Sequence, residues 1–345
     1  MGQLDRGRRA RWPTRRALGA ALAGLLALGP SGCSVPGTTP SAATPPGTPA
    51  KAAAPTPRTP ARTKATTATP SSKATSGPAR PGTVTKLLVF VEENHSLSQM
   101  RSGMPYTAGL ADRFGYATGY TAITHPSLPN YIAIAGGSTY GITNDDGPSA
   151  NPVPGTSVFG QAIAAGKRAT VYADGMPANC ATDDGARDAS GSKYAVKHNP
   201  WAYFVKERGT CQTYDVPVER LAAAIASGTL PNAGMVIPNL CHDAHDCSLG
   251  TADAWFRGWM TRVFDGPDWR SGHLAVVVTA DEDDRSAANT VLTVLIHPSQ
   301  HAHVVSTALT HYSLTRLFEE VAGMPYLGGA ATAPSMSTAF GLPGH

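Results

Sequence analysis

The chain has 345 residues and a formal net charge of +4, with 41% hydrophobic and 15% charged residues, a length that admits one large domain or two ordinary ones. The charge is unevenly spread: residues 1–82 hold 12 Lys/Arg against the single acid Asp5, which leaves 16 Lys/Arg against 23 Asp/Glu in the remainder. The part with globular composition is therefore acidic and carries no basic stripe, which excludes nucleic acid as its partner.

In chain order, an Arg-rich start (Arg6, Arg8, Arg9, Arg11, Arg15, Arg16) precedes the apolar run Ala17 to Leu28. That run is too short to span a membrane and reads as an export signal. The pair Arg15-Arg16 leans toward twin-arginine export. Ser31-Gly32-Cys33 resembles a lipoprotein processing site that would acylate Cys33, although Pro30 stands where such sites usually carry Leu. Residues 34–83 are almost wholly Pro, Thr, Ala, Ser, Gly and Lys/Arg, which predicts a disordered linker. The expected organisation is an export signal over 1–33, a linker over 34–83 and one catalytic domain over 84–345. The protein is expected to be exported, monomeric, and in contact with a membrane only through a lipid on Cys33.

Beyond the linker, continuous apolar runs predict buried strands at Leu87 to Val91, Ala169 to Tyr172, Gly234 to Ile237, Leu274 to Val278 and Val291 to Ile296. Helical patterns at Val158 to Ala165, Val218 to Ala226, Ala252 to Phe264 and Ser313 to Val321 alternate with them. Such alternation predicts an α/β fold, a largely parallel central sheet between helix layers. Four cysteines remain after Cys33, an even number suited to two disulfides in an exported protein. Proximity favours Cys180–Cys211 and Cys241–Cys247 among three connectivities. A zinc site is the competing reading, but Cys241-x5-Cys247 lacks zinc-finger spacing.

Acids gather at strand ends, where open α/β sheets place their functional groups. Glu92-Glu93-Asn94-His95 follows the first strand and Asp281-Glu282-Asp283-Asp284 follows Leu274 to Val278. Between them lie HPSLPNY (His125 to Tyr131) and PNLCHDAHDC (Pro238 to Cys247), and Thr310-His311-Tyr312 opens a late helix. Hydrolysing a phosphate ester requires positive charge or donors on the phosphoryl oxygens and an activated attacking oxygen. Carboxylates with Asn and His supply hard-metal ligands, and Ser127, stiffened by Pro126 and Pro129, is the candidate nucleophile. Asn130 offers an amide donor to a phosphoryl oxygen.

The blocks VFVEENHS, THPSLPNYIAIAGG, KYAVKHNPWAYF, VIPNLCHDAHD, GTADAWF, VVTADEDD and THYS, in this order, resemble the phosphoesterase family of bacterial acid phosphatases and phospholipases C. The likeness runs over residues 84 to 330. It implies an alkaline-phosphatase-like single domain and a metal-assisted hydroxyl nucleophile. By it, Ser127-Leu128-Pro129-Asn130 resembles the Thr-Phe-Pro-Asn element of nucleotide pyrophosphatases, which puts Ser127 in the nucleophile's place and Asn130 on the phosphate. Glu93 with Asn94 matches one metal-side pair, and Asp281 with Glu282 the other. The block His242-Asp243-Ala244-His245-Asp246 fits an Asn-Asp-x-His-Asp segment, with His242 in place of Asn, and puts His242, Asp243 and Asp246 on the substrate side. Arg285 departs from the Gly that relatives often carry. His198, His245 and His311 are candidates for moving the proton.

The implied cofactor is a divalent metal ion of unread identity: oxygen ligands favour Mg, Ca or Mn, and the histidines keep Zn or Fe open. The resemblance implies an exported acid phosphatase acting on phosphate monoesters, with phosphatidylinositol 3-phosphate a candidate substrate. A phospholipase C cleaving diesters is the alternative, though such relatives are usually longer. A lipoprotein that binds phosphate or metal without turnover is a third reading, which would need the ligands but not Ser127.

Overall fold

Strongly apolar segments bounded by polar turns build a central sheet in the computed structural model, which describes residues 82–344. The export leader, the acylation site at Cys33 and the linker up to residue 81 lie outside the described residues. The strands are β1 (Lys86–Glu92), β2 (Gly115–Ala117), β3 (Tyr120–Thr121), β4 (Ala169–Ala173), β5 (Asp215–Pro217), β6 (Ala233–Ile237), β7 (Leu274–Ala280), β8 (Thr293–Ile296), β9 (His303–Val305) and β10 (Leu309–Thr310). Eight form one sheet in the order β5-β4-β6-β1-β7-β8-β2-β9, and β10 pairs with β3 in a small second sheet. From β5 to β7 every pairing is parallel, whereas β8 runs antiparallel to both β7 and β2.

The expected parallel core is therefore present, with a mixed edge. β1 and β7 are buried along nearly their whole length because helices cover both faces, as continuous apolar strands require. One layer holds the helices Ser127–Gly136, Val158–Ala164 and His311–Ala322; the other holds Leu97–Gly103, Pro105–Arg113, Glu219–Ser227 and Leu249–Asp265. Among the described residues no helix is long and apolar enough to cross a membrane.

The five expected strands and four expected helices are all found, with no end shifted by more than three residues. A further helix, Ser127–Gly136, begins at the candidate nucleophile itself. Strands β2, β3, β5, β9 and β10 span only two or three residues, too few for a periodic pattern to register. Both expected disulfides are formed, Cys180–Cys211 and Cys241–Cys247.

Candidate active site

β6, β1 and β7 lie side by side and run the same way, so three chain segments leave the sheet at one edge. β1 delivers Glu93 and Asn94, β6 leads into Pro238 to Asp246, and β7 ends at Asp281 and Glu282. Asn94 takes a left-handed backbone conformation, φ 57°, which Asn tolerates better than most residues. The turn directs its N–H at Asp281 Oδ1 (3.2 Å), and its side chain donates to Glu93 Oε2 (2.8 Å).

Ser127 is the first residue of a helix in which every residue from Ser127 to Gly136 is buried. Its hydroxyl donates to Glu93 Oε2 at 3.1 Å, and Lys197 Nζ lies 3.4 Å from the same Oγ. Lys197 also pairs with Asp145 Oδ2 at 3.2 Å, while Asp145 Oδ1 accepts the N–H of Leu128 at 2.9 Å. Asp145 thus binds the lysine to the helix turn that carries the serine.

Asn130 is held from both ends. Its carbonyl oxygen accepts Ile123 and Thr124 N–H groups (3.0 and 3.1 Å), and its NH2 donates to Thr124 O (2.9 Å) and Glu282 Oε2 (3.0 Å). His125 stands between Glu282 Oε1 (3.1 Å) and Asp283 Oδ1 (3.3 Å). Asp281 and Glu282, the second expected metal-side pair, therefore join Ser127, Glu93, Asn94 and Asn130 in one cluster.

His198 is fully buried, with Nε2 3.0 Å from Glu93 Oε1 and Nδ1 3.1 Å from Asp243 Oδ2. Both nitrogens are within ion-pair reach but off the hydrogen-bonding direction. Burial opposes charge on this ring, yet Glu93 and Asp243 push its pKa up to about 9. Burial likewise works against the Glu93 carboxylate, but His198 and then Lys197 hold it down at about 2. Tyr131 stacks on the His198 ring at 5.0 Å. Asp243 is buried beside His198: its Oδ2 meets the ring at Nδ1, and its Oδ1 accepts the His245 N–H at 2.8 Å.

The other expected residues lie farther out or deeper. His245 sits at the rim, its ring 6.0 Å from that of His198 and its Nδ1 2.8 Å from Asp246 Oδ1. Asp246 also faces Arg187 at 3.6 Å. His242 pairs with Asp174 (2.6 Å) and stacks on Trp255 at 5.2 Å, contacts that explain why a ring occupies this position. His311 is fully buried; its Nδ1 meets the Tyr120 hydroxyl at 2.9 Å and its Nε2 the Asp281 carbonyl at 2.6 Å. No nitrogen of His311 is left to exchange a proton with a substrate, and burial pushes its pKa down to about 4. Lys197 and Asp145 carry no role in the sequence pattern, and His125 and Tyr131 enter it only as the ends of the HPSLPNY block.

Three buried oxygens here lack a well-directed hydrogen bond: Glu93 Oε1 and Asp243 Oδ2, which meet His198 only as ion pairs, and Asp281 Oδ2, which has no such partner. Unpaired buried carboxylates are costly, by several kcal/mol each as a rough scale. Accordingly burial, with Glu93 and Glu282 nearby, pushes the Asp281 pKa well above the carboxylate range. An oxygen-rich set short of positive charge fits a hard divalent cation. Among the described residues, the one trio of His, Cys or acid ligand atoms lying within 4.8 Å of one another belongs to Cys180, Cys211 and Asp215, and those sulfurs are joined in a disulfide.

A model of the phosphoesterase family matches residues 89–325. Phosphatidylinositol-3-phosphatase of Mycobacterium tuberculosis is 29% identical over 263 residues, covering 75% of this chain and 84% of that protein. Phosphate-repressible acid phosphatase of Penicillium chrysogenum is 29% identical over 222 residues, covering 61% of this chain and 52% of its own length. Acid phosphatase of Aspergillus fumigatus is 26% identical over 226 residues, covering 61% and 49%, so the chain spans about half the length of these fungal relatives. A solved structure of a protein in the alkaline phosphatase superfamily from Vibrio parahaemolyticus shares the fold, with TM-score 0.51 and 12% identity over 74% of this chain and 71% of that one. Because the match over residues 89–325 takes in well over half of the sequence, the chain belongs to the phosphoesterase family of phosphoric ester hydrolases.

Proposed function

We propose that the protein is an exported acid phosphatase that hydrolyses phosphate monoesters with Ser127 as nucleophile. The observation that carries this reading is the Ser127 hydroxyl, set at a helix start between Glu93 Oε2 and Lys197 Nζ. In the first half-reaction Ser127 Oγ bonds to phosphorus, the P–O bond to the alcohol breaks, and the serine proton ends on the departing alcohol. In the second, water bonds to phosphorus, the Ser127 Oγ–P bond breaks, and a water proton restores the hydroxyl.

Glu93 orients the Oγ–H bond, and the His198 and Asp243 pair behind it keeps Glu93 ionised and fixed. His245, at the rim and tied to Asp246, is placed to hand a proton to a leaving alcohol; Asp246 and His242 would shape the same rim. Asn130 fixes the turn before Ser127 and Glu282 together, with its NH2 directed toward the site. His311 holds the backbone at Asp281. Glu93, Asn94, Asp281 and Glu282 would hold a divalent cation, which when bound supplies positive charge for phosphoryl oxygens and lowers the pKa of a nearby hydroxyl.

The name of the mycobacterial relative makes phosphatidylinositol 3-phosphate a candidate substrate. Export is supported by the leader sequence and by two disulfides, which belong to an oxidising compartment. The test compares p-nitrophenyl phosphate hydrolysis by the wild type and Ser127→Ala. A loss of roughly 10³-fold or more in kcat is expected. Equal rates would remove Ser127 from the nucleophile's place, and background rates in both would sink the enzyme reading.

A further inference from the structure

Two side chains reach Ser127 Oγ among the described residues: the carboxylate of Glu93 and the ammonium of Lys197. Around them stand Asp145, Asp281 and Glu282, so the nucleophile sits in strongly negative surroundings. Lys197 is not a surface lysine that happens to bend inward. It occupies a short 3-10 turn, Val196–His198, its neighbours Val196 and His198 are buried, and its side chain is 21% exposed. Asp145 grips its Nζ with one oxygen and the N–H of Leu128 with the other. Lysine and serine are thereby locked to one carboxylate, which fixes their separation without help from a ligand. A lysine amine keeps its proton across the working range, and Asp145 Oδ2 at 3.2 Å is its counter-charge.

Such a cation has a definite use in phosphoryl transfer. When the Oγ–P bond forms and the P–O bond to the alcohol breaks, negative charge passes from the serine oxygen, across the transferred phosphoryl group, to the departing alcohol oxygen, which takes the serine proton; in the second half-reaction the serine oxygen is itself the leaving group and regains that charge. A fixed donor at that oxygen is strongest where water is excluded. A monoester dianion brings one more negative charge to this carboxylate-rich place than a diester does, so it has more need of the ammonium.

We propose that Lys197 is a catalytic residue whose ammonium stabilises the Ser127 oxygen and the transferred phosphoryl oxygens, and that it biases the site toward dianionic phosphomonoesters over diesters. This inference rests on the reading of Ser127 as the nucleophile. Asp145 is the positioning residue, acting through Lys197 and the helix turn.

The test uses the full chain with Lys197→Met and Lys197→Arg, their folding checked by thermal melting against the wild type. Substrates are p-nitrophenyl phosphate and bis-p-nitrophenyl phosphate. Lys197→Met should lose on the order of 10²-fold in kcat/KM on the monoester and clearly less on the diester; Lys197→Arg should recover part of the loss. Equal losses on both substrates, or none, would overturn the proposal. A binding measurement gives a second arm where diester turnover is too slow to read. Inorganic phosphate should bind Ser127→Ala more tightly, by about tenfold or more, than it binds the double variant carrying Lys197→Met as well; equal affinities overturn the proposal. Should Ser127→Ala retain wild-type hydrolysis, the nucleophile reading itself fails. An inactive Ser127→Ala beside a fully active Lys197→Met would refute the lysine alone.

Discussion

At the residue scale the site is a problem of excess negative charge. Glu93 has His198 and Lys197 as counter-charges, but Asp281 has none within hydrogen-bonding reach at Oδ2. A divalent cation held by Glu93, Asn94, Asp281 and Glu282 would supply what is missing. Exhaustive chelation is therefore expected to abolish p-nitrophenyl phosphate turnover and metal replenishment to restore it; full activity in protein that elemental analysis finds metal-free would contradict this. The parts of the site that are legible in the sequence are those that local pattern exposes. Glu93, Asn94 and Asp281 follow long apolar strands, and Ser127 sits between two prolines ahead of a small-residue stretch. Lys197 and Asp145 are not legible this way, because their meaning depends on partners 70 and 52 positions away in the chain. His311 is conspicuous in sequence for its chemistry, yet burial and two hydrogen bonds turn it into a brace for Asp281.

At the scale of elements, the strand-end acids depend on helices that hold the sheet's far face. Asp253, in the helix Leu249–Asp265, accepts the N–H groups of Tyr106 (2.8 Å) and Thr107 (2.9 Å) and the Thr107 hydroxyl (2.8 Å). These are donors of the first turn of Pro105–Arg113, which has no side-chain cap of its own, so a neighbouring helix caps it. Asp253→Ala is expected to cost about 2–3 kcal/mol in denaturant unfolding, with Asp253→Asn milder. A cost below roughly 0.5 kcal/mol, the scale of an ordinary surface change, would mean that the cap is dispensable. Strands of five or more residues and the helices Val158–Ala164, Glu219–Ser227, Leu249–Asp265 and His311–Ala322 are legible because their apolar run or periodicity is long enough to register, whereas Leu97–Gly103, Pro105–Arg113 and Arg208–Tyr214 do not stand out by local pattern. The antiparallel direction of β8 and the short strands β2 and β9 are decided by pairing across the sheet, which no local pattern encodes.

For the whole molecule, buried acids make folding pH-dependent. Asp215, fully buried at the sheet edge and held by the Asn199 amide (2.8 Å), has its pKa pushed up to about 8 by burial. Glu319 is pushed to about 8 for the same reason. Each binds a proton in the folded state that the unfolded chain has released, so its stabilisation is complete below the unfolded carboxylate pKa and is lost as pH rises toward 8. His311 acts in the opposite sense: with a folded pKa near 4, against 6.5 when free, it costs stability as pH falls from 6.5 toward 4. Between pH 6.5 and 8 the acids govern, and the melting temperature should fall as pH rises. Asp215 alone contributes roughly 1 kcal/mol per pH unit there. Asp215→Asn, which keeps an acceptor for Asn199, should flatten the slope; an unchanged slope, or a melting temperature that rises with pH, would contradict the assignment.

The central claim is that Ser127 carries the phosphoryl group between the two half-reactions. Acid quenching during turnover of p-nitrophenyl phosphate, followed by peptide mass spectrometry, tests it most directly. Phosphate on Ser127 in the wild type, and on no residue in Ser127→Ala, is the predicted result; turnover with phosphate on another side chain, or with none trapped under conditions where breakdown of the intermediate is slowed, would contradict it.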